Sequence, residues 1–334
     1  MSKILLSEKI FIAGSGGMAG SAICRAFNKA GYGLKHNGGN LLTPKRKELD
    51  LLDKVKLFNW FEKNKPSVVV IAAAKVGGIY ANASQPVEFL LDNIKIQTNI
   101  IEAAWKFKVK RLLFLGSSCI YPKYADQPIK EEYLLNGALE KTNESYAIAK
   151  ISGIKLCEAL SIQYKFDAIS LMPTNLYGPG DNYHPSNSHV MASLIRKFYD
   201  AVKNSSDSVL CWGSGSPYRE FLHVDDLGSS VVFCLENWDT FSTESPKDDN
   251  GKPLYFLNVG TGKDITIKGL AEKIAFHLNF KGKIIWDKSK PDGTPKKQLN
   301  IEKIKGLGWS PRIDLDEGIK MTIKNYKNEI NSFI

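Results

Sequence analysis

A short apolar run, Lys9 to Ala13 (KIFIA), leads directly into GSGGMAG, Gly14 to Gly20, and then into the helical-looking SAICRAFNKAG. Few folds accept that succession. Gly14, Gly17 and Gly20 permit a tight turn, close approach of backbone to a ligand, and tight packing of the following helix. A strand, a glycine turn and a helix in this order place a pyrophosphate at the helix N-terminus. The expected fold is α/β, a doubly wound parallel sheet whose ligands lie beyond the carboxyl ends of its strands.

Later segments repeat the alternation. A second strand around Leu41 to Thr43 ends in TPKRKELD, where an NAD site would place an acidic residue for the ribose hydroxyls. Lys45, Arg46 and Lys47 stand there instead. They suit a 2′-phosphate, with Arg46 the first choice, and so point to NADP; an ordinary basic turn would read the same way. Ser67 to Ala74 (SVVVIAAA) and Arg111 to Leu115 (RLLFL) are continuous apolar runs, as buried parallel strands are. Between them Pro86 to Phe107 reads as an amphipathic helix with Phe89, Asn93, Ile96, Ile100 and Ala103 or Ala104 along one side, fit for the core or for a helical dimer seam.

Asp167 to Leu171 (DAISL) is one more parallel strand, after which loops, prolines and aromatic residues increase. A second domain is therefore expected over 173–334, with 1–172 as the first and returning segments near 220–262. Among those, His223 to Glu236 reads as a helix packing back on the sheet and Tyr255 to Gly260 as a returning strand. Ser242 to Pro253 is a polar surface loop.

The chemistry sits beyond the RLLFL strand, in GSSCIYP from Gly116 to Pro122, and in NESYAIAK from Asn143 to Lys150. Tyr146 and Lys150 share a helix face. An ammonium beside a phenol favours the phenolate, so Tyr146 is expected to exchange its proton nearer neutrality than free tyrosine does and to serve as the acid in a carbonyl reduction. Ser117 supplies a second hydroxyl to the same carbonyl.

Other classes are disfavoured. The net charge is +10, from 45 Lys and Arg against 35 Asp and Glu, which attracts anions such as nucleotides. The lysines are spread along the chain with no basic tail, so no nucleic-acid partner is expected. No apolar run approaches a membrane span, and MSKILLSEKIFIAG lacks a signal-peptide core, so a cytoplasmic protein is expected. Five scattered cysteines without a CxxC pair signal neither disulfides nor a metal site.

With AAAKVGGI (Ala72 to Ile79), LGSSCIYPK (Leu115 to Lys123), MPTNLYGPGDNYHPSNSHV (Met172 to Val190), WGSGSPYREFLHVDDL (Trp212 to Leu227), NVGTG and SKPDGTPKK, these stretches resemble the extended short-chain dehydrogenase/reductase family over nearly the whole chain. Within it they look like the GDP-L-fucose synthases. The resemblance implies a Rossmann-type sheet with a smaller, interleaved α/β substrate domain. It implies NADPH-dependent reduction of a GDP-4-keto-6-deoxy sugar at carbon 4, with prior epimerisation at carbons 3 and 5. Tyr146 would donate the proton, Lys150 activate it and hold a ribose, Ser117 hold the carbonyl, and Cys119 and His189 act as epimerisation base and acid.

For NADP the resemblance implies Gly14, Ser15, Gly16, Gly17, Met18, Ala19, Gly20, Arg46, Asp50, Leu51, Leu115, Gly116, Lys150, Pro173, Thr174, Asn175, Leu176 and His189. For the GDP-sugar it implies Asn175, Lys197, Trp212, Arg219 and Asp292. It also implies a homodimer through the helices Pro86 to Phe107 and Glu144 to Tyr164. Two positions depart from the family: Gly16 replaces an arginine of close relatives, and Gly180 a histidine that often follows YGP.

Taken singly, Cys119 also reads as a buried thiol, His189 as a structural histidine, Trp212 as core and Arg219 as half of a surface ion pair. Competing functions are a reductase acting alone on a GDP-4-keto hexose or heptose, and an NADP-binding regulator without catalysis. A dehydratase of the same fold would carry an Asp-Glu pair where Ser118 and Cys119 stand.

Overall fold

The computed structural model describes residues 2–185, 187–290 and 292–331. Its first half alternates strands and helices: β1 (Lys9–Ala13), α1 (Met18–Lys29), β2 (Asn40–Leu42), α2 (Lys54–Asn64), β3 (Val68–Ile71), α3 (Ile79–Ser84), α4 (Pro86–Lys106), β4 (Arg111–Leu115), α5 (Glu144–Tyr164) and β5 (Ala168–Pro173). There follow β6 (Asn175–Tyr177), α6 (Val190–Lys203), β7 (Ser208–Trp212), β8 (Tyr218–His223), α7 (Val224–Asn237) and β9 (Phe256–Val259). The chain ends with β10 (Asp264–Thr266), α8 (Ile267–His277), β11 (Lys283–Asp287), β12 (Lys296–Lys297), α9 (Glu302–Gly306) and α10 (Leu315–Asn331).

Six strands form one parallel sheet in the order β2-β1-β3-β4-β5-β9. Every residue of β3, β4, β5 and β9 is buried, so both faces of the sheet are covered. Helices α1 and α7 pack on each other, as do α4 and α5. The chain leaves β1 toward β2 on one side and returns to β3 on the other, which opens a crevice at the carboxyl ends of β1 and β3. Gly20 seats α1 against the turn: a Cβ there would lie 2.0 Å from the Gly14 carbonyl oxygen.

The apolar line of α4 is as expected at Phe89, Asn93, Ile100, Ala103 and Ala104. At the fourth turn, however, Gln97 is buried and Ile96 only half-buried. Gln97 goes inward with its amide NH₂ donating to the Ala149 carbonyl of α5, so that donor finds an acceptor between two helices. Strand β9 is the returning strand expected from Tyr255 to Gly260, and α7 follows β8. A second hydrophobic cluster lies away from the sheet, where Leu194, Ile195 and Phe198 of α6 meet Leu270 and Ile274 of α8 and Ile319 and Ile323 of α10. Beside it β8 pairs with β6, β10 and β12, and β7 with β11.

Candidate active site

A cleft of about 1480 Å³ runs from the glycine turn, past the ends of β3, β4 and β5, to the loops of the second cluster. Its size exceeds that of an ordinary small-molecule pocket and suits two extended ligands end to end. It is lined at one end by residues 14–20, Arg46, Asp50 and Leu51, in the middle by Gly116, Ser117, Cys119, Tyr146, His189 and residues 173–176, and at the other end by Lys197, Trp212, Arg219 and Asp292.

At the first end Gly14 has φ +86°, and a Cβ on it would lie 2.6 Å from the Ala73 backbone nitrogen. Gly17 precedes α1 without a side-chain cap, and no acidic residue stands in the helix's first turn. The amides opening α1 are thus free for an anion, and a pyrophosphate fits this cradle. Beyond Gly16 lies open space, with no atom within 4 Å of a would-be Cβ, so an arginine would find room there. Lys45 and Arg46 line the cleft and Lys47 does not. Asp50 turns its carboxylate inward to accept the Leu52 amide at 3.0 Å.

In the middle, the Ser117 hydroxyl accepts the Cys119 amide at 3.2 Å, closing a short 3₁₀ turn that holds both side chains at the cleft. Lys150 lies beneath, 3% exposed, and donates to the Leu115 carbonyl at 2.7 Å. Its nitrogen stands 4.7 Å from the Phe114 ring centre and 5.9 Å from that of Tyr146. Burial lowers its proton affinity to a pKa of about 7. The Tyr146 phenol is moved upward, mainly by burial, further by the nearby Cys119, and against a hydrogen bond with Ser117. This corrects the expected lowering by Lys150: the lysine is committed to a carbonyl and to the Phe114 face, and loses its own charge before it can stabilise a phenolate. Tyr146 consequently holds its proton at neutrality, the state a proton donor needs.

His189 stands just before α6 with its edge open to the cleft. Enclosure by the surrounding walls lowers its proton affinity, and the charge of Lys297 lowers it further. Lys297 itself was not anticipated. Its ammonium lies 3.7 Å from the Cys119 sulfur, although its motif, SKPDGTPKK, was evident.

At the far end Trp212 is 54% exposed, which excludes the core reading and leaves its ring free for an aromatic base. Lys197 and Lys290 stand 5.4 and 5.6 Å from its ring centre, and Lys197 donates to the Leu210 carbonyl at 2.8 Å. Arg219 donates to the carbonyls of Tyr218 (2.7 Å) and Asp292 (3.3 Å) and makes no salt bridge among the described residues, so the ion-pair reading falls too. Both carboxylate oxygens of Asp292 accept from Ser214, from its amide at 2.7 Å and its hydroxyl at 2.8 Å, so this residue braces the loop after β7.

A second unanticipated residue ties these parts together. The Glu220 side chain, fully buried, accepts the amides of Thr261 and Gly262 on one oxygen (2.5 and 2.7 Å) and that of Leu299 on the other (2.7 Å). Its carbonyl accepts from the Thr174 hydroxyl (3.2 Å) and the Asn175 amide group (2.8 Å). Among the described residues no group of three His, Cys, Asp or Glu side chains forms a metal site, and no helix is long and apolar enough to cross a membrane.

Known proteins share this sequence and arrangement. The profile of the NAD dependent epimerase/dehydratase family matches residues 10–245. GDP-L-fucose synthase 1 of Arabidopsis thaliana is 48% identical over 97% of this chain and 95% of its own length, and the GDP-L-fucose synthase of Escherichia coli 48% identical over 94% and 95%. Among solved structures, the GDP-mannoheptose C4 reductase of Campylobacter jejuni with NADP bound superposes with a TM-score of 0.86, at 34% identity over 97% of this chain and 99% of that one. The chain belongs to the NAD dependent epimerase/dehydratase family, among the extended short-chain dehydrogenase/reductases, where the two relatives just named, each 48% identical, are GDP-L-fucose synthases.

Proposed function

We propose that this protein is an NADPH-dependent reductase of a GDP-4-keto-6-deoxy sugar that first inverts carbons 3 and 5, yielding GDP-L-fucose or a closely related GDP-sugar. The observation that carries the reading is one cleft joining a pyrophosphate cradle, the Ser117, Cys119, Tyr146 and His189 side chains, and an aromatic and basic far end. The names of the curated relatives support it. We assign the sheet and residues 1–172, with returning segments near 220–262, to NADP, and 173–334 mainly to the GDP-sugar.

A 4-keto group acidifies the hydrogens on carbons 3 and 5. Ser117 and Tyr146 hold the carbonyl oxygen, where the negative charge of the enolate collects. Cys119, as thiolate, takes the carbon proton and becomes a thiol. The electron pair moves to the carbonyl oxygen, and His189, as imidazolium, returns a proton to the opposite face of the carbon and becomes neutral. A lowered proton affinity makes charged His189 the stronger acid. When bound, NADPH supplies the hydride for carbon 4. Tyr146 gives its proton to the resulting alkoxide and recovers one from water, while Lys150 lies beneath its ring with the ammonium held on the Leu115 carbonyl.

The experiment is incubation with NADPH and GDP-4-keto-6-deoxymannose in deuterated water, with mass spectrometry of the product. Deuterium at carbons 3 and 5 and one NADPH consumed per sugar are expected. Reduction without deuterium supports the second reading, a reductase alone, which the resemblance to the C. jejuni heptose reductase brings into play. No NADPH consumption overturns both.

Arg46 is assigned to the 2′-phosphate, unaided by residue 16. Arg46→Ala is expected to reduce the preference for NADPH over NADH by about tenfold or more, the worth of one charge-assisted hydrogen bond. An unchanged ratio of kcat/KM values would assign the phosphate elsewhere.

The outer faces of α4 and α5 expose Val87, Leu91, Ile148, Ile162 and Tyr164, each more than 40% accessible. Such an apolar face fits a two-fold dimer seam. Light scattering at micromolar concentration is expected to give twice the chain mass, and Leu91→Glu with Ile148→Glu to give the chain mass alone. The five unpaired cysteines suit a reducing compartment, in keeping with a cytoplasmic enzyme.

A further inference from the structure

Strand β12 is two residues long, yet it delivers two lysines to opposite sides of the sheet it joins. Lys296 turns away and pairs with Asp264 at 3.4 Å. Lys297, opposite Arg219 in the parallel register with β8, turns into the cleft, where its partner is the Cys119 sulfur at 3.7 Å and no carboxylate of the described residues neutralises it. The same charge is felt at His189. An ammonium half removed from water beside a sulfur is a costly arrangement unless negative charge arises there. The backbone that carries it is fixed two residues on, where the Leu299 amide donates to buried Glu220 at 2.7 Å.

We propose that Lys297 is a positioning residue for carbon-proton transfer: its ammonium, 3.7 Å from the Cys119 sulfur, holds that sulfur toward the substrate carbon. The inference rests on the reading of Cys119 as the epimerisation base. Arg219 and Tyr146 also face Cys119, the first adding positive charge to the same place and the second a neutral phenol. In the resting site the sulfur is paired with Lys297. When the thiolate takes the carbon proton, the negative charge passes to the enolate oxygen held by Ser117 and Tyr146, and the ammonium loses its anionic neighbour until the thiol releases its proton to water. Lys297 thereby keeps the sulfur in place through each turnover.

The test sets carbon-proton exchange against reduction, read as deuterium taken up per hydride transferred from NADPH in deuterated water, by mass spectrometry of the product. Lys297→Met is expected to lower that ratio by about tenfold or more, with hydride transfer itself little changed. Lys297→Arg, which keeps the charge and an N–H donor, is expected to restore it, an outcome that a merely structural role or a folding defect would not produce. An equal ratio in wild type and Lys297→Met overturns the proposal. A wild-type enzyme that takes up no deuterium overturns the epimerisation reading, and this proposal with it.

Discussion

Tyr146→Phe is expected to lower the rate of carbonyl reduction by about 10²-fold or more, with KM for the GDP-sugar little changed. In the proposed mechanism the phenol is the protonated hydroxyl that meets the carbonyl oxygen, and burial together with the proximity of Cys119 raises its proton affinity. The phenylalanine ring keeps the shape and the edge contact with Phe89, whose ring centre lies 6.3 Å away, so the helix and cleft wall are preserved. Ser117 remains able to hold the oxygen, but its hydroxyl already accepts the Cys119 amide and lacks a base behind it. Single-turnover NADPH oxidation reads the chemical step without product release. Near-normal rates in Tyr146→Phe would mean that another group protonates the alcohol and would remove Tyr146 from the mechanism.

The parts of this site carried by local pattern were legible in the chain. The glycine turn announces itself by its spacing after an apolar strand, with Gly20 answering a local demand six residues from Gly14, and β3 and β4 announce themselves by unbroken apolar runs. Tyr146 and Lys150 share a helix face at any tertiary arrangement. What the pattern could not give was the partner of each polar group. Lys150 was expected to act on its sequence neighbour, whereas its hydrogen bond goes to Leu115, 35 residues earlier, and burial shifts its own proton instead of that of Tyr146. Lys297 meets Cys119 across 178 residues, through a two-residue strand too short to show periodicity. Gln97 was passed over because a glutamine inside a helix pair looks like surface until its carbonyl acceptor is known.

Glu220 is the strongest instance of such non-local wiring, and its replacement has the other large expected effect. One oxygen faces the amides of Thr261 and Gly262, and the other faces the Leu299 amide 79 residues away. Burial raises its proton affinity while these amides lower it, so the amides are what make a carboxylate tolerable at this depth. Glu220→Gln offers one oxygen where two are needed. With that oxygen on the Thr261 and Gly262 side, its NH₂ is set against the Leu299 amide, donor against donor, at a cost of about 1–3 kcal/mol.

The strain falls on the segment that carries Asp292 and Lys297, while the carbonyl of residue 220 still accepts from Thr174 and Asn175 beside the cofactor. KM for the GDP-sugar is therefore expected to rise by about tenfold, with NADPH affinity by fluorescence titration changed less than about twofold. A merely structural lesion would weaken both ligands together. Parallel losses of the two affinities would show that Glu220 supports the fold at large, and a selective loss of cofactor affinity would place its influence at Thr174 and Asn175 in preference to the strand beneath the sugar.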